Sequence, residues 1–110
     1  MFRHFLIFLG KMEDRMKAEN KYQSGLIKKL LELYPGSYCF KVNAKQGYPD
    51  LMFLYGNKWA ALECKRSAKA IKQPNQEIHV ERMNNMSFSS FIYPENEKEV
   101  LDALAIYMGR

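Results

Sequence analysis

The chain has 110 residues with 17 Lys and Arg against 12 Asp and Glu, a formal net charge of +5. That length allows one small domain with a modest core, and the basic excess fits a polyanionic partner. Two cysteines, Cys39 and Cys64, with no CxxC spacing or nearby His pair, exclude a disulfide framework and a zinc cluster, and no stretch reaches the roughly 20 apolar residues needed to cross a bilayer.

Residues 1–15 read as an N-terminal extension ahead of a single domain at 16–110. The opening MFRHFLIFLG is too short an apolar run for a signal peptide and has no small-residue cleavage site after it. Met12 and Met16 offer alternative starts. Phe5, Leu6, Ile7, Phe8 and Leu9 therefore form an added edge strand, an association patch or the product of an early start.

From Met12 to Tyr34 the pattern is helical, with Tyr22, Leu26, Ile27, Leu30, Leu33 and Tyr34 at steps of three and four, closed by Pro35-Gly36. Continuing the stripe backwards reaches Glu19, an acid on the core-facing side, whereas Glu32 falls among Lys28 and Lys29. Tyr38 to Val42 alternates as a strand, and Gly47 and Pro49 punctuate the approach to the next one.

Two apolar runs, Leu51 to Tyr55 and Trp59 to Leu62, flank Gly56-Asn57, a dipeptide suited to the positive φ angles of a two-residue hairpin turn. With that turn, Tyr55 pairs with Lys58, Leu54 with Trp59, Phe53 with Ala60, Met52 with Ala61 and Leu51 with Leu62, so Asp50 faces Glu63. Directly opposed residues have Cβ atoms roughly 4.5–5.5 Å apart, where like charges repel unless a cation lies between them. Lys65, two residues past Glu63, points to the same face. A hairpin apolar on both sides should be central and covered.

Arg66, Lys69 and Lys72 follow as a basic loop able to grip phosphates. Pro74-Asn75 predicts a helix start with Asn75 as N-cap and Glu77 in the first turn, and Gln76, Val80 and Met83 share one face. His79, a lone histidine on a half-apolar helix, reads as a packed or surface residue outside the catalytic set. Phe88 to Tyr93 is a strand stopped by Pro94. Asn96, followed by Glu97 and Glu99, caps a last helix with Val100, Leu101, Leu104 and Tyr107 or Met108 as its buried stripe. The expected order is helix, three strands, helix, strand, helix.

An Asp, a Glu and a Lys on one face are hard oxygen ligands beside a positive charge, a set that suits Mg²⁺. Pro49-Asp50 followed after twelve residues by Glu63-Cys64-Lys65 resembles the PD-(D/E)xK nuclease signature. With Gly47-x-Pro49-Asp50-Leu51, the helical Glu19 and the downstream Gln76, the chain from Glu19 to Leu104 resembles the small stand-alone VRR-NUC type of nuclease, often phage-encoded.

The resemblance implies an α/β, restriction-endonuclease-like αβββαβ core, a mixed central sheet flanked by helices, with an added C-terminal helix. It implies a Mg²⁺- or Mn²⁺-dependent DNA endonuclease. Asp50, Glu63, Glu19 and the backbone carbonyl of Cys64 would hold the metal, Lys65 would orient or polarise the attacking water, and Gln76 would help hold that lysine and water. Arg66, Lys69 and Lys72 would contact DNA. Branched DNA such as a Holliday junction is the expected substrate, a homodimer the expected assembly, and the cytoplasm, the host's for a phage-encoded chain, the expected location. A flap- or nick-directed nuclease, a catalytically silent nucleic-acid-binding module and a protein-interaction domain are the competing readings.

Overall fold

The computed structural model describes residues 2–43 and 47–109, without the side chains of residues 2–6 and 8. The elements are α1 (Phe2–Leu33), β1 (Tyr38–Lys41), β2 (Leu51–Tyr55), β3 (Lys58–Cys64), α2 (Pro74–Met86), β4 (Phe88–Ile92) and α3 (Glu97–Met108). The four strands form one mixed sheet in the order β1-β2-β3-β4, with antiparallel pairing except between β3 and β4, which are parallel. The described residues are thus α/β, a four-stranded mixed sheet with three helices. No helix among the described residues is long and apolar enough to cross a membrane.

The β2–β3 hairpin turns at Gly56, whose φ is 62°, and its register runs from Tyr55↔Lys58 to Leu51↔Leu62 as the sequence predicts. β3 lies between β2 and β4, and every residue from Ala60 to Lys65 is buried. Its alternation divides the molecule. Ala60, Leu62 and Cys64 join Leu26, Leu30 and Tyr34 of the α1 end, Leu51 and Phe53 of β2, Ile92 of β4 and Val100, Leu104 and Met108 of α3 in one apolar cluster. Residues in such a cluster carry the fold: truncating a fully buried Leu30 or Phe53 to Ala costs about 2–5 kcal/mol. Glu63 and Lys65 project from the other face, toward Gln76 of α2.

Several elements depart from expectation. α1 begins at Phe2 rather than Met12, so the backbone of Phe5 to Leu9 is helical and supplies no edge strand. As for an association patch there, the side chains of Phe5, Leu6 and Phe8 lie outside the described residues, while Ile7 and Leu9 are exposed. The buried stripe ends on Tyr34 (3% exposed), not Leu33 (45%), because Tyr34 packs edge-on against the rings of Phe53 and Tyr55. The hairpin is covered less evenly than expected. Leu54 and its partner Tyr38 on the edge strand stay exposed, while α2 packs mainly over β3 and β4.

The start of α2 also differs. Gln73, extended at φ −75° and ψ 146°, is the N-cap, Pro74 takes the first helical position and Asn75 is inside the helix. Proline has a φ already suited to that position and no N–H to satisfy, so it sets the boundary two residues earlier than an Asn cap would. Gln76 then falls at the third helical position, where its Oε1 accepts the Gln73 N–H at 3.0 Å. Asn96 takes the N-cap position of α3 as expected, but its side chain makes no bond to the first turn; its Oδ1 instead accepts the Tyr93 N–H at 2.8 Å. Of the two alternatives for its last buried position, Met108 is buried and Tyr107 partly so.

Candidate metal centre

The end of the sheet where β2 begins and β3 finishes collects the acidic residues. Asp50 immediately precedes β2, one step beyond the last hairpin pair, and its Oδ1 accepts the Cys64 N–H at 3.0 Å. Glu63 stands on β3 and is only 4% exposed. Glu19 reaches the same point from α1, four residues before Gln23 and seven before Leu26 on the stripe that enters the core. One carboxylate oxygen from each of Glu19, Asp50 and Glu63 lies within 4.8 Å of the others.

The cation beside them is fixed by a short polar chain. Lys65 N–H donates to Ile92 O at 2.9 Å, prolonging the parallel ladder past β3 and holding the lysine backbone on the sheet. Its Nζ donates to Gln76 Oε1 at 2.8 Å and sits 3.7 Å from Glu63 Oε2. Gln76 Nε2 donates to the same Glu63 oxygen at 3.1 Å. One glutamine side chain therefore fixes both the acid and the lysine.

Gly47 allows this glutamine to come so close. Its φ is +81°, and a Cβ there would lie 2.9 Å from Asn75 Cβ and 3.0 Å from Gln76 N. Only a residue without a side chain lets the chain before Asp50 run against the first turn of α2.

The electrostatics are those of crowded, poorly solvated acids. Burial, with the charge of Glu19 adding to it, raises Asp50 to about 6 even though the Cys64 N–H opposes the shift. Burial and then the neighbouring Asp50 raise Glu63 to about 8, with Lys65 acting against them. Among the described residues the one ion pair at the cluster is Lys65 with Glu63, and three acids this close relieve their repulsion by taking up protons or a cation. An all-oxygen donor set of this kind fits Mg²⁺ or Mn²⁺ rather than a softer metal.

The remaining predicted residues are more dispersed. Cys64 is buried with the apolar cluster, and burial, followed by the charges of the neighbouring Asp50 and Glu63, pushes its thiol far above the ordinary thiol range. Arg66 is half-buried beside Lys65, whereas Lys69 and Lys72 are exposed. The ammonium of Lys72 lies 4.6 Å from the centre of the Phe91 ring. His79 stacks on Tyr48 with ring centres 4.2 Å apart.

Gln23 is the residue that sequence reasoning missed. It is buried, and its Nε2 donates to Asp50 Oδ2 at 2.6 Å, so both Asp50 oxygens are held from within the protein. Its signal was present: Gln23 is the one amide in the stripe that runs from Glu19 through Leu26 and Leu30. No protein-family model matches the chain, and no curated protein or solved structure matches it either.

Proposed function

We propose that this protein is a divalent-metal-dependent DNA endonuclease of the PD-(D/E)xK type, with a restriction-endonuclease-like αβββαβ core and one added helix. The observation that carries the reading is the convergence of Glu19, Asp50 and Glu63 within 4.8 Å, with Lys65 Nζ 3.7 Å from Glu63. A structural ion pair would need one acid for one lysine; the surplus carboxylates make a phosphate-handling metal site the better account.

Asp50, Glu63, Glu19 and the backbone carbonyl of Cys64 would hold the ion. When bound, Mg²⁺ or Mn²⁺ supplies Lewis-acid stabilisation of charge on the scissile phosphate. Lys65 orients or polarises the attacking water and offsets negative charge that develops in the phosphorane-like transition state. Gln76 holds Lys65 and Glu63 in fixed relative positions, accepting from the ammonium and donating to the carboxylate. Arg66, Lys69 and Lys72 contact flanking phosphates and position the strand without reading its sequence.

The substrate is branched DNA, and cutting two opposed strands of a four-way junction calls for a homodimer with two equivalent sites. Labelled four-way junction, flap and linear duplex, each incubated with Mg²⁺, Mn²⁺ or EDTA, test this. Junction cleavage that needs the ion is expected. DNA binding without cleavage of any substrate would leave a silent binding module, and cleavage of the flap alone would leave an enzyme acting on one strand at a time.

A further inference from the structure

The polar centre has an apolar annex that the metal chemistry does not use. α1 does not stop at Glu19. It continues outward, every residue from Lys11 to Ala18 is exposed, and Met12, Arg15 and Met16 share one face with Glu19 at steps of three and four. The loop between β3 and α2 rises opposite. Together they enclose a cleft of about 410 Å³, with Met12, Arg15 and Met16 on the helix wall, Arg66 and Ile71 on the loop wall, and Glu19 and Lys65 at its base. The loop wall is tied down, since the Ala68 N–H donates to Glu95 Oε2 at 3.0 Å.

The lining combines two chemistries. Arg15 and Arg66 are suited to phosphate oxygens. Met16 is 61% exposed, Ile71 77% and Met12 41%, an apolar group beside Glu19 and Lys65. Against an intact duplex these side chains would meet sugar, phosphate and the edges of bases in the grooves, because stacking on neighbouring pairs covers the base faces. Against an unstacked base they would cover a flat π surface, and methionine sulfur contacts aromatic rings favourably. Lys65 and Glu19 line the cleft, so a strand seated in it brings a phosphate to the edge of the acidic cluster.

We infer that the cleft between the Met12–Arg15–Met16 face of α1 and the Arg66–Ile71 loop binds an unpaired segment of a DNA strand next to the reacting phosphate, its apolar side chains contacting unstacked bases. The inference rests on the DNA reading above and supplies its substrate preference: splayed strands at a branch, in preference to continuous duplex.

Fluorescence anisotropy of the full chain, in Ca²⁺ so that binding is read without cleavage, tests this with a linear duplex and a fork carrying unpaired arms. Wild type is expected to bind the fork about tenfold tighter than the duplex, the scale of one base contact. Met16→Ser combined with Ile71→Ser is expected to reduce the advantage to about twofold or less, and Met16→Leu to retain most of it. Both altered side chains are exposed, so the thermal melt should stay within a few degrees of wild type. A wild type without fork preference, or a double variant that keeps it, overturns the inference and leaves the endonuclease reading standing. Failure to bind either DNA overturns both.

Discussion

Metal binding at this site should release protons in a pH-dependent number set by the buried acids. A carboxylate must be ionised to ligate a metal. With Glu63 raised to about 8 and Asp50 to about 6, roughly nine-tenths of the first and one-tenth of the second are protonated at pH 7, so about one proton leaves per ion bound. The expected release is about 1.5 protons at pH 6 and about 0.1 at pH 9. The two acids repel each other, so their sum is the quantity to compare. Calorimetric titration with Mn²⁺ in buffers of different ionisation enthalpy measures it directly. The same shifts fix the sign of the stability change. Both carboxyls titrate higher in the folded protein than their ordinary 3.8 and 4.5, so their contribution to metal-free stability is complete below about 4 and is lost as pH rises through 6 and 8. The metal-free melting temperature should fall over that window and recover with Mn²⁺, by about 2.7 kcal/mol at one hundred times Kd. A binding heat at pH 7 independent of buffer would refute the reasoning, because the acids would then be ionised already or the ion would sit elsewhere.

Four further outcomes are expected. Lys65→Ala should lower cleavage at least 100-fold while changing Ca²⁺-supported DNA affinity no more than about threefold, since one charge among many adds little to non-specific binding; cleavage near the wild-type rate would remove Lys65 from the chemistry. Gln23→Ala should weaken Mn²⁺ binding about tenfold by releasing Asp50 Oδ2, the scale of losing a partner that orients a metal ligand; an unchanged titration would mean that the Cys64 N–H is sufficient. Gly47→Ala should cost about 1–3 kcal/mol in denaturant melts, because Ala is strained at positive φ and its Cβ meets the first turn of α2, with activity falling further than stability as Gln76 shifts. Light scattering should show a dimer at micromolar concentration that Ile7→Glu weakens, Ile7 being exposed on α1; a monomeric wild type would exclude the paired cut.

Much of the fold was legible in the sequence because local chemistry specified it. Gly56-Asn57 allowed one tight turn, and a two-residue loop at that point fixed the register of the apolar runs on either side, which brought Asp50 opposite Glu63. The three-and-four stripe of α1 likewise carried Glu19 to the same point. Contacts between elements were less legible. Gln23 donates to an acid 27 residues later, and its polarity alone does not name that partner. The close approach of Gly47 to Asn75 depends on where α2 packs, which pairing rules within one hairpin do not specify. The part of α1 ahead of Met12 was missed because Phe5 to Leu9 is continuously apolar, without the periodicity that separates a helix from a strand.

The hairpin also supplies a rule for finding relatives that general similarity does not reveal. Twelve residues, Leu51 to Leu62, separate Asp50 from Glu63: the two-residue turn and five opposed pairs. A single inserted residue would break the opposition. Adding or removing one pair keeps the acids face to face but turns both to the apolar side of the sheet, away from Lys65's partner on α2. With this turn, distant kin can lengthen or shorten the separation only in steps of four residues, two pairs at a time. A search that fixes Pro-Asp and Glu-x-Lys and lets the gap vary in that step, with a Gly-containing turn at its midpoint, filters on geometry where overall identity has faded.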